Sequence, residues 1–241
     1  AGCGLPYYVS NVIKNREQLI VNTPVVFSAL TGVKVLTETE VIKIDRNDKH
    51  VMAMDLNSRQ LLTFQYDKLI IATGADPIRP PITGIGLKGV YFMRTPDDAT
   101  ALKEALDKGE INRAVVVGGG FIGLEVAENL ALKNVKVSIL DMAEHILPGF
   151  DPEIAEYVEN HLADKRIMPF TEMKLEAILG VDRVEKVQTD KRSIKADAVI
   201  LSLGIRANTA FLKDSGLDLM HNQTLKVNNY LQTNDKDIYA I

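Results

Sequence analysis

The sequence is short of cysteine, of net charge and of long apolar runs. Cys3 is the single cysteine of 241 residues, which excludes an internal disulfide and any multi-cysteine metal site within this chain. The formal charge is only -4, so neither a nucleic acid nor an acidic membrane surface is expected as a partner. No apolar segment approaches the length of a membrane span and none resembles a signal peptide, so we expect a cytoplasmic protein.

The composition that is present is typical of a globular chain. It is 46% hydrophobic and 25% charged, which is enough material for one large core or two modest ones. The histidines have no spacing typical of metal ligands and surface positions account for them, so we predict no metal site; they are His50, His145, His161 and His221.

Residues 113–141 form the most informative stretch of the chain. The continuous apolar run 114–117 is typical of a strand buried on both faces, and a glycine-rich turn follows it directly. Apolar residues then return at helical spacing over 124–132, and 135–140 predicts a second strand. The stretch therefore predicts a complete βαβ unit within an α/β fold that has a parallel sheet.

The turn matches the pattern of a dinucleotide site. Gly118 would permit the tight turn, Gly120 would let a diphosphate approach the start of the helix, and Gly123 would let the helix pack on the sheet. The intervening residues of the turn are Gly119, Phe121 and Ile122. Because the strand and helix flank the turn as this mechanism requires, we favour nucleotide binding over a simple glycine-rich turn.

Asp141 completes the pattern at the end of the second strand. A carboxylate there accepts hydrogen bonds from the adenosine ribose hydroxyls and repels a 2′-phosphate. Residues 142–150 contain no lysine or arginine that would bind that phosphate. The sequence therefore favours NADH over NADPH.

Cys3 lies in a segment that allows two interpretations. Pro6 suits the first turn of a short helix, and a thiol at a helix N-terminus has a stabilised thiolate and is reactive. A small buried side chain near the end of a chain would have the same sequence. From these residues alone the two interpretations stay open.

Four segments in this order resemble the pyridine nucleotide-disulfide oxidoreductase family. They are residues 3–8 (CGLPYY), 66–75 (YDKLIIATGA), 118–125 (GGGFIGLE) and 237–240 (DIYA). The match is to the single-cysteine branch, which contains coenzyme A-disulfide reductase, NADH-dependent persulfide reductase, NADH peroxidase and NADH oxidase. The cysteine segment is most similar to the first two.

The resemblance implies FAD and NADH as cofactors and Cys3 as the redox-active residue. It implies that Ala72, Thr73 and Gly74 pass close to FAD, and that Gly204 is available to the nucleotide. It also implies that Glu125 lies near the nicotinamide amide, while Phe121 covers the nicotinamide pocket or is a core aromatic. Coenzyme A-disulfide reductases carry a basic residue at the end of the helix after Pro24, where this sequence has Leu30 and Thr31.

For a complete enzyme the resemblance implies a path from NADH through FAD to Cys3 and on to a small disulfide or persulfide. The alternatives are an NADH oxidase or peroxidase that uses oxygen or peroxide, or a non-catalytic NADH-binding module. Members of the family also have an N-terminal FAD-binding βαβ unit and a C-terminal dimerisation domain. We therefore expect an internal segment of a homodimeric enzyme.

The predicted organisation has three parts. Residues 1–76 would be part of an FAD-binding domain, 77–203 an NAD(H)-binding domain, and 204–241 the return to the FAD domain. Within them the sequence predicts a loop at 15–21, strands at 33–36, 40–45, 51–56, 61–66, 68–72, 167–170 and 196–203, a hairpin at 174–188, and capped helices after Thr23, Thr95 and Asp151.

Overall fold

The computed structural model describes residues 2–241, which divide into two compact units. Ala1, the first residue of the predicted FAD segment, lies outside the described residues. The helices are α1 (Leu5–Val9), α2 (Pro24–Thr31), α3 (Pro96–Asp107), α4 (Phe121–Leu132) and α5 (Pro152–Asp164). The strands are β1 (Thr39–Asp45), β2 (His50–Asp55), β3 (Leu61–Gln65), β4 (Leu69–Ile71), β5 (Ala75–Pro77), β6 (Val90–Tyr91), β7 (Arg113–Val117), β8 (Lys136–Leu140), β9 (Met168–Phe170), β10 (Leu175–Leu179), β11 (Lys186–Thr189), β12 (Ser193–Lys195), β13 (Ala198–Leu201), β14 (Ile205–Ala207) and β15 (Ile238–Ala240).

The first unit contains residues 2–21 and Pro77–Gly204. Its centre is a parallel five-stranded sheet in the order β6-β13-β7-β8-β9. The strands β7, β8 and β9 follow one another toward one edge, and β13 then returns to the other side of β7. The predicted βαβ unit and parallel sheet are confirmed, and the strand order reverses beside β7.

Alternate side chains of the sheet enter two different cores. Ala114 and Val116 pack with α1, α3, α4 and α5 on one face, while Val115 and Val117 pack with the antiparallel strands β10, β11 and β12 on the other. A parallel strand covered on both faces needs this continuous apolar run. The predicted hairpin is confirmed, whereas β6 and β12, which are only two and three residues long, were not predicted.

The N-terminal segment differs from the predicted organisation. Residues 2–21 were assigned to the FAD segment, yet Leu5, Tyr8, Val9 and Leu19 are buried in the core that α3 and α4 also enter. The predicted loop at 15–21 contains a 3-10 helix, Arg16–Leu19, which buries Leu19. Apolar burial thus groups this segment with the first unit.

The second unit contains Asn22–Asp76 and Ile205–Ile241. Strands β1, β2 and β3 form the predicted antiparallel meander, and β4 pairs in parallel with β15. The predicted strand at 33–36 is wrong, because this segment forms no strand and Val33 remains 52% exposed. Within residues 2–241 this segment pairs with no strand, and its apolar side chains Val35 and Leu36 are also exposed.

Capping residues set the helix starts. Thr23 accepts a hydrogen bond from the Val26 N–H, and Thr95 forms a reciprocal capping box with Asp98. Asp151 is the N-cap of α5 as predicted, and the helix runs from Pro152 to Asp164, but the Asp151 side chain accepts no capping hydrogen bond. Within residues 2–241, no helix has the length and apolar character needed to cross a membrane.

Candidate functional site

The glycine turn lies at the carboxyl end of β7, where the strand order reverses. Gly118 has a φ of +105°, and a Cβ there would lie 2.3 Å from the Ser202 carbonyl oxygen. A Cβ on Gly123 would lie 1.9 Å from the Gly118 carbonyl oxygen. The tight turn and the close helix approach predicted for these two glycines are therefore confirmed, and the reversal point is where such sheets bind ligands.

Gly120 differs from its neighbours because the space in front of it is open. It is the N-cap of α4, and a Cβ added to it would meet nothing within 4 Å. The first N–H groups of a helix lack intrahelical acceptors and favour an anion. The open backbone at Gly120 thus fits the approach of a dinucleotide diphosphate.

Asp141 braces the glycine turn from the end of β8. Its Oδ2 accepts a hydrogen bond from the Gly119 N–H at 2.6 Å, and its Oδ1 accepts one from the Ala143 N–H at 2.8 Å. The Leu147 N–H donates to the Gly119 carbonyl at 2.9 Å. Because an ionised carboxylate has about four acceptor positions, Asp141 can still accept hydrogen bonds from a ligand.

Two aromatic side chains flank this turn. Phe121, the first residue of α4, is 66% exposed and is therefore not the core aromatic that the sequence allowed. Its ring packs edge-to-face against Phe150, with 5.7 Å between the ring centroids. Ile122 is likewise exposed, Glu125 is half-buried on α4, and Gly204 is the third residue after β13. Phe150 was not identified from the sequence, because an aromatic in a loop has no periodic signal.

Cys3 is exposed in the 3-10 turn Gly2–Gly4. The turn leads directly into α1, whose Leu5 and Pro6 are buried. The structure therefore excludes the alternative of a small buried thiol. Arg16, one of the basic residues near this segment, forms an ion pair with Asp97 at 2.6 Å.

In the second unit, the segment after β4 lines a cavity of about 570 Å³. Thr73 and Gly74 lie at its wall together with Ala240, which ends the neighbouring parallel strand β15; Ala72 is exposed just before them. The Thr73 hydroxyl donates to the Asn208 carbonyl at 2.9 Å, and Asn208 Nδ2 donates to the Thr73 carbonyl at 3.3 Å. A mostly apolar cavity at the carboxyl ends of parallel strands fits the flat ring system of a flavin.

Asp237, which directly precedes β15, forms ion pairs with two lysines near that cavity. Its side chain is buried and accepts hydrogen bonds from Lys49 Nζ at 2.5 Å and from Lys68 Nζ at 2.6 Å. The Lys49 hydrogen bond, followed by that of Lys68, lowers the pKa of Asp237 to about 2. Lys49 directly precedes β2 and Lys68 directly precedes β4, a pairing that sequence spacing could not reveal.

The end of α2 is where coenzyme A-disulfide reductases are expected to carry a basic residue. Helix α2 ends at Thr31, whose hydroxyl donates to the Phe27 carbonyl, and Leu30 is 74% exposed.

The side chains of Asp45, Asp48 and His50 have potential ligand atoms within 4.8 Å of one another. Since Asp45 already accepts hydrogen bonds from the N–H groups of Asn47 and Asp48, an ordinary turn explains this cluster.

The parallel sheet and the glycine turn at its reversal point are those of the dinucleotide-binding class of α/β proteins. The sequence profile of the pyridine nucleotide-disulphide oxidoreductases matches residues 1–241. The chain belongs to this family, for which FAD and NADH are the expected cofactors.

Two curated relatives show its place in the family. An NADH oxidase of Methanocaldococcus jannaschii is 34% identical over 99% of this chain and 53% of its own length. A CoA-dependent NAD(P)H sulfur oxidoreductase of Pyrococcus abyssi is 35% identical over 100% of this chain and 53% of its own length. The chain thus spans about half the length of the curated relatives that it matches.

Solved structures agree with this fold. An NAD-dependent persulfide reductase from A. fulgidus has a TM-score of 0.94 and 34% identity, over 99% of this chain and 45% of its own. An engineered water-forming NADPH oxidase, made from the NADH oxidase of Lactobacillus brevis and bound to NADPH, has a TM-score of 0.92 and 28% identity, over 99% and 53%. Its five substitutions replace a glycine and an aspartate by alanine and introduce two arginines.

Proposed function

We propose that this chain is the NADH-binding and redox-cysteine portion of an FAD-dependent oxidoreductase that reduces a small disulfide or persulfide. The observation that carries the proposal is the carboxylate of Asp141, hydrogen-bonded to the Gly119 N–H beside the open backbone of Gly120. This arrangement offers one acceptor group for the ribose and one open approach for the diphosphate. The names of the relatives support a reduced nicotinamide nucleotide as electron donor.

NADH is preferred over NADPH in this proposal. In the engineered oxidase the replaced glycine, aspartate and proline are 18 and then 7 positions apart. Gly123, Asp141 and Pro148 have the same spacing here, and the residues between Asp141 and Pro148 include no lysine or arginine. A 2′-phosphate at Asp141 would meet a carboxylate rather than a cation, which disfavours NADPH.

The described residues provide positions for both cofactors. Bound FAD would supply the chemistry that takes a hydride from NADH and passes on an electron pair. Thr73 and Gly74 would border the flavin in the cavity of the second unit, with Ala72 directly before them. On the nucleotide side, Gly204 and Glu125 would contact the nicotinamide end of NADH, and Phe121 would cover it from the start of α4. Ile122 and the glycines of the turn would border the same nucleotide.

Cys3 would carry the sulfur chemistry. Its thiolate sulfur attacks one sulfur of a small disulfide, forms a mixed disulfide and releases the other half as a thiolate. The electron pair supplied by NADH then breaks the mixed disulfide, releases the second thiol and restores the Cys3 thiolate. The exposed position of Cys3 and the lack of a second cysteine both favour a small partner.

A water-forming NADH oxidase or an NADH peroxidase is the second candidate. The relative from Methanocaldococcus jannaschii, which is 34% identical over almost the whole chain, is named an NADH oxidase. In this case oxygen or peroxide, rather than a disulfide, would oxidise the reduced centre. Cys3 would then cycle between a thiolate and a sulfenic acid.

The two candidates separate by acceptor. The chain is supplied with FAD and NADH, and NADH oxidation is followed with coenzyme A disulfide without oxygen, or with oxygen or peroxide alone. The proposal predicts disulfide-dependent turnover that Cys3→Ser abolishes, while NADH still reduces the flavin. Disulfide turnover that survives Cys3→Ser would refute the role of Cys3, and turnover with oxygen or peroxide alone would select the oxidase. A chain that binds NADH but never turns over is a binding module.

A further inference from the structure

Ser202 has a buried hydroxyl that lacks a hydrogen-bond partner. It follows β13 directly, and its Oγ is buried and makes no hydrogen bond. Among residues 2–241, the Ser202 Oγ is the one buried side-chain oxygen or nitrogen atom that has no hydrogen-bond partner. Since buried polar groups are normally hydrogen-bonded, this exception calls for a specific explanation.

The position of Ser202 indicates the explanation. Its N–H donates to the Val117 carbonyl at 2.8 Å. Its own carbonyl oxygen lies 2.3 Å from the position that a Cβ on Gly118 would take. The Gly118 carbonyl in turn lies against Gly123 at the first turn of α4. Ser202, the glycine turn and the start of α4 are therefore one packed group, and the unpaired hydroxyl belongs to the base of the nucleotide site.

We propose that Ser202 is a positioning residue whose hydroxyl forms its hydrogen bond only when a dinucleotide diphosphate is bound. The partner would be the backbone of the glycine turn, adjusted around the diphosphate, or a water that the diphosphate holds there. The hydroxyl would therefore stabilise the bound state and not the nucleotide-free state. This inference rests on the proposed NADH site, whose geometry at Asp141 and Gly120 is independent of Ser202.

The test compares Ser202→Ala with the wild-type chain and with Ser138→Ala. Ser138 lies on β8 of the same sheet and is the matched control. Each protein is titrated with NADH, with ADP-ribose, which retains the diphosphate, and with AMP, which does not. Thermal unfolding is measured for each nucleotide-free protein.

Two results of opposite sign are expected for Ser202→Ala. The dissociation constants of NADH and ADP-ribose should rise about three- to tenfold, as for one lost hydrogen bond, while that of AMP stays unchanged. The midpoint of nucleotide-free unfolding should stay the same or rise by about 2–4 °C, because an unsatisfied group has been removed. Ser138→Ala should leave all three dissociation constants unchanged.

Other outcomes overturn the inference. A lower unfolding midpoint with an unchanged NADH dissociation constant would show that the hydroxyl holds a permanent structural water. Equal loss of AMP affinity would show a general disturbance of the site. A wild-type chain that binds neither NADH nor ADP-ribose would instead refute the proposed nucleotide site, so the two failures are distinguishable.

Discussion

The two compact units of this chain bury their apolar side chains to very different extents. In the first unit both faces of the parallel sheet are covered, and Leu130 and Ile200 are fully buried. In the second unit no residue of α2 is buried, and Val25 and Leu30 are 78% and 74% exposed. Apolar burial within the first unit is therefore more extensive than within the second.

Ion pairs lie directly beside the core of the second unit. Its core is small, and next to it Asp237 pairs with Lys49 and Lys68 while Asp235 pairs with Arg46 at 2.9 Å. Helix α2 forms as predicted although none of its residues is buried, so an apolar pattern predicts burial only where the chain itself supplies the opposing face.

The largest expected difference concerns two leucines in helices. Leu130→Ala in α4 should lower the free energy of unfolding by about 2–5 kcal/mol, because it leaves a cavity in a filled core. Leu30→Ala in α2 should change it by less than about 0.5 kcal/mol, because that side chain is exposed. Urea denaturation of both variants measures this, and similar losses would refute the contrast.

Two glycines of the nucleotide turn give the next contrast. Gly118→Ala should lower the free energy of unfolding by about 3 kcal/mol, because the new Cβ meets backbone at a positive φ. Gly120→Ala should leave stability within about 0.5 kcal/mol and yet weaken NADH binding at least about tenfold, because its Cβ occupies open space at the helix start. Urea denaturation and NADH titration measure the two effects. A Gly120 variant that binds NADH normally would contradict the assigned approach of the diphosphate.

A smaller effect should appear as pH dependence of the second unit. The folded pKa of Asp237, about 2, lies below its unfolded value, so its contribution to stability is present above about pH 4 and is lost as the pH falls through 2. Asp237→Asn should therefore flatten the loss of stability between pH 4 and 2. Asp214→Asn, at an exposed position of the same unit, is the control. Thermal unfolding from pH 6 to 2 measures this, and an unchanged slope for Asp237→Asn would show that the charge cluster is unimportant.

The sequence predicted the first unit well for identifiable reasons. The run Ala114–Val117 is typical of a strand covered on both faces, and Thr95 with Asp98 marks a helix start that the structure reproduces. The glycine spacing predicted both the turn and the packing of α4. Local chemistry was sufficient in these places.

Other features could not be predicted because they depend on contacts distant in sequence. The segment 33–36 is apolar but joins no sheet, and residues 2–21 pack with the first unit through Leu5 and Leu19. The partners of Asp237 are 188 and 169 positions away in the chain. The brace between Asp141 and Gly119 strengthens the predicted site, but spacing alone predicted only the acid and not its hydrogen bonds.

We propose above that Asp141 and the glycine turn select NADH over NADPH. The most direct measurement is the ratio of the NADPH and NADH dissociation constants for the wild-type chain and for Asp141→Ala. We expect NADH to bind at least about tenfold more tightly to the wild type, and Asp141→Ala to weaken NADH and bring the ratio close to one. A wild-type chain that binds both nucleotides equally, or a preference for NADH that survives Asp141→Ala, would refute the role of Asp141 in nucleotide selection.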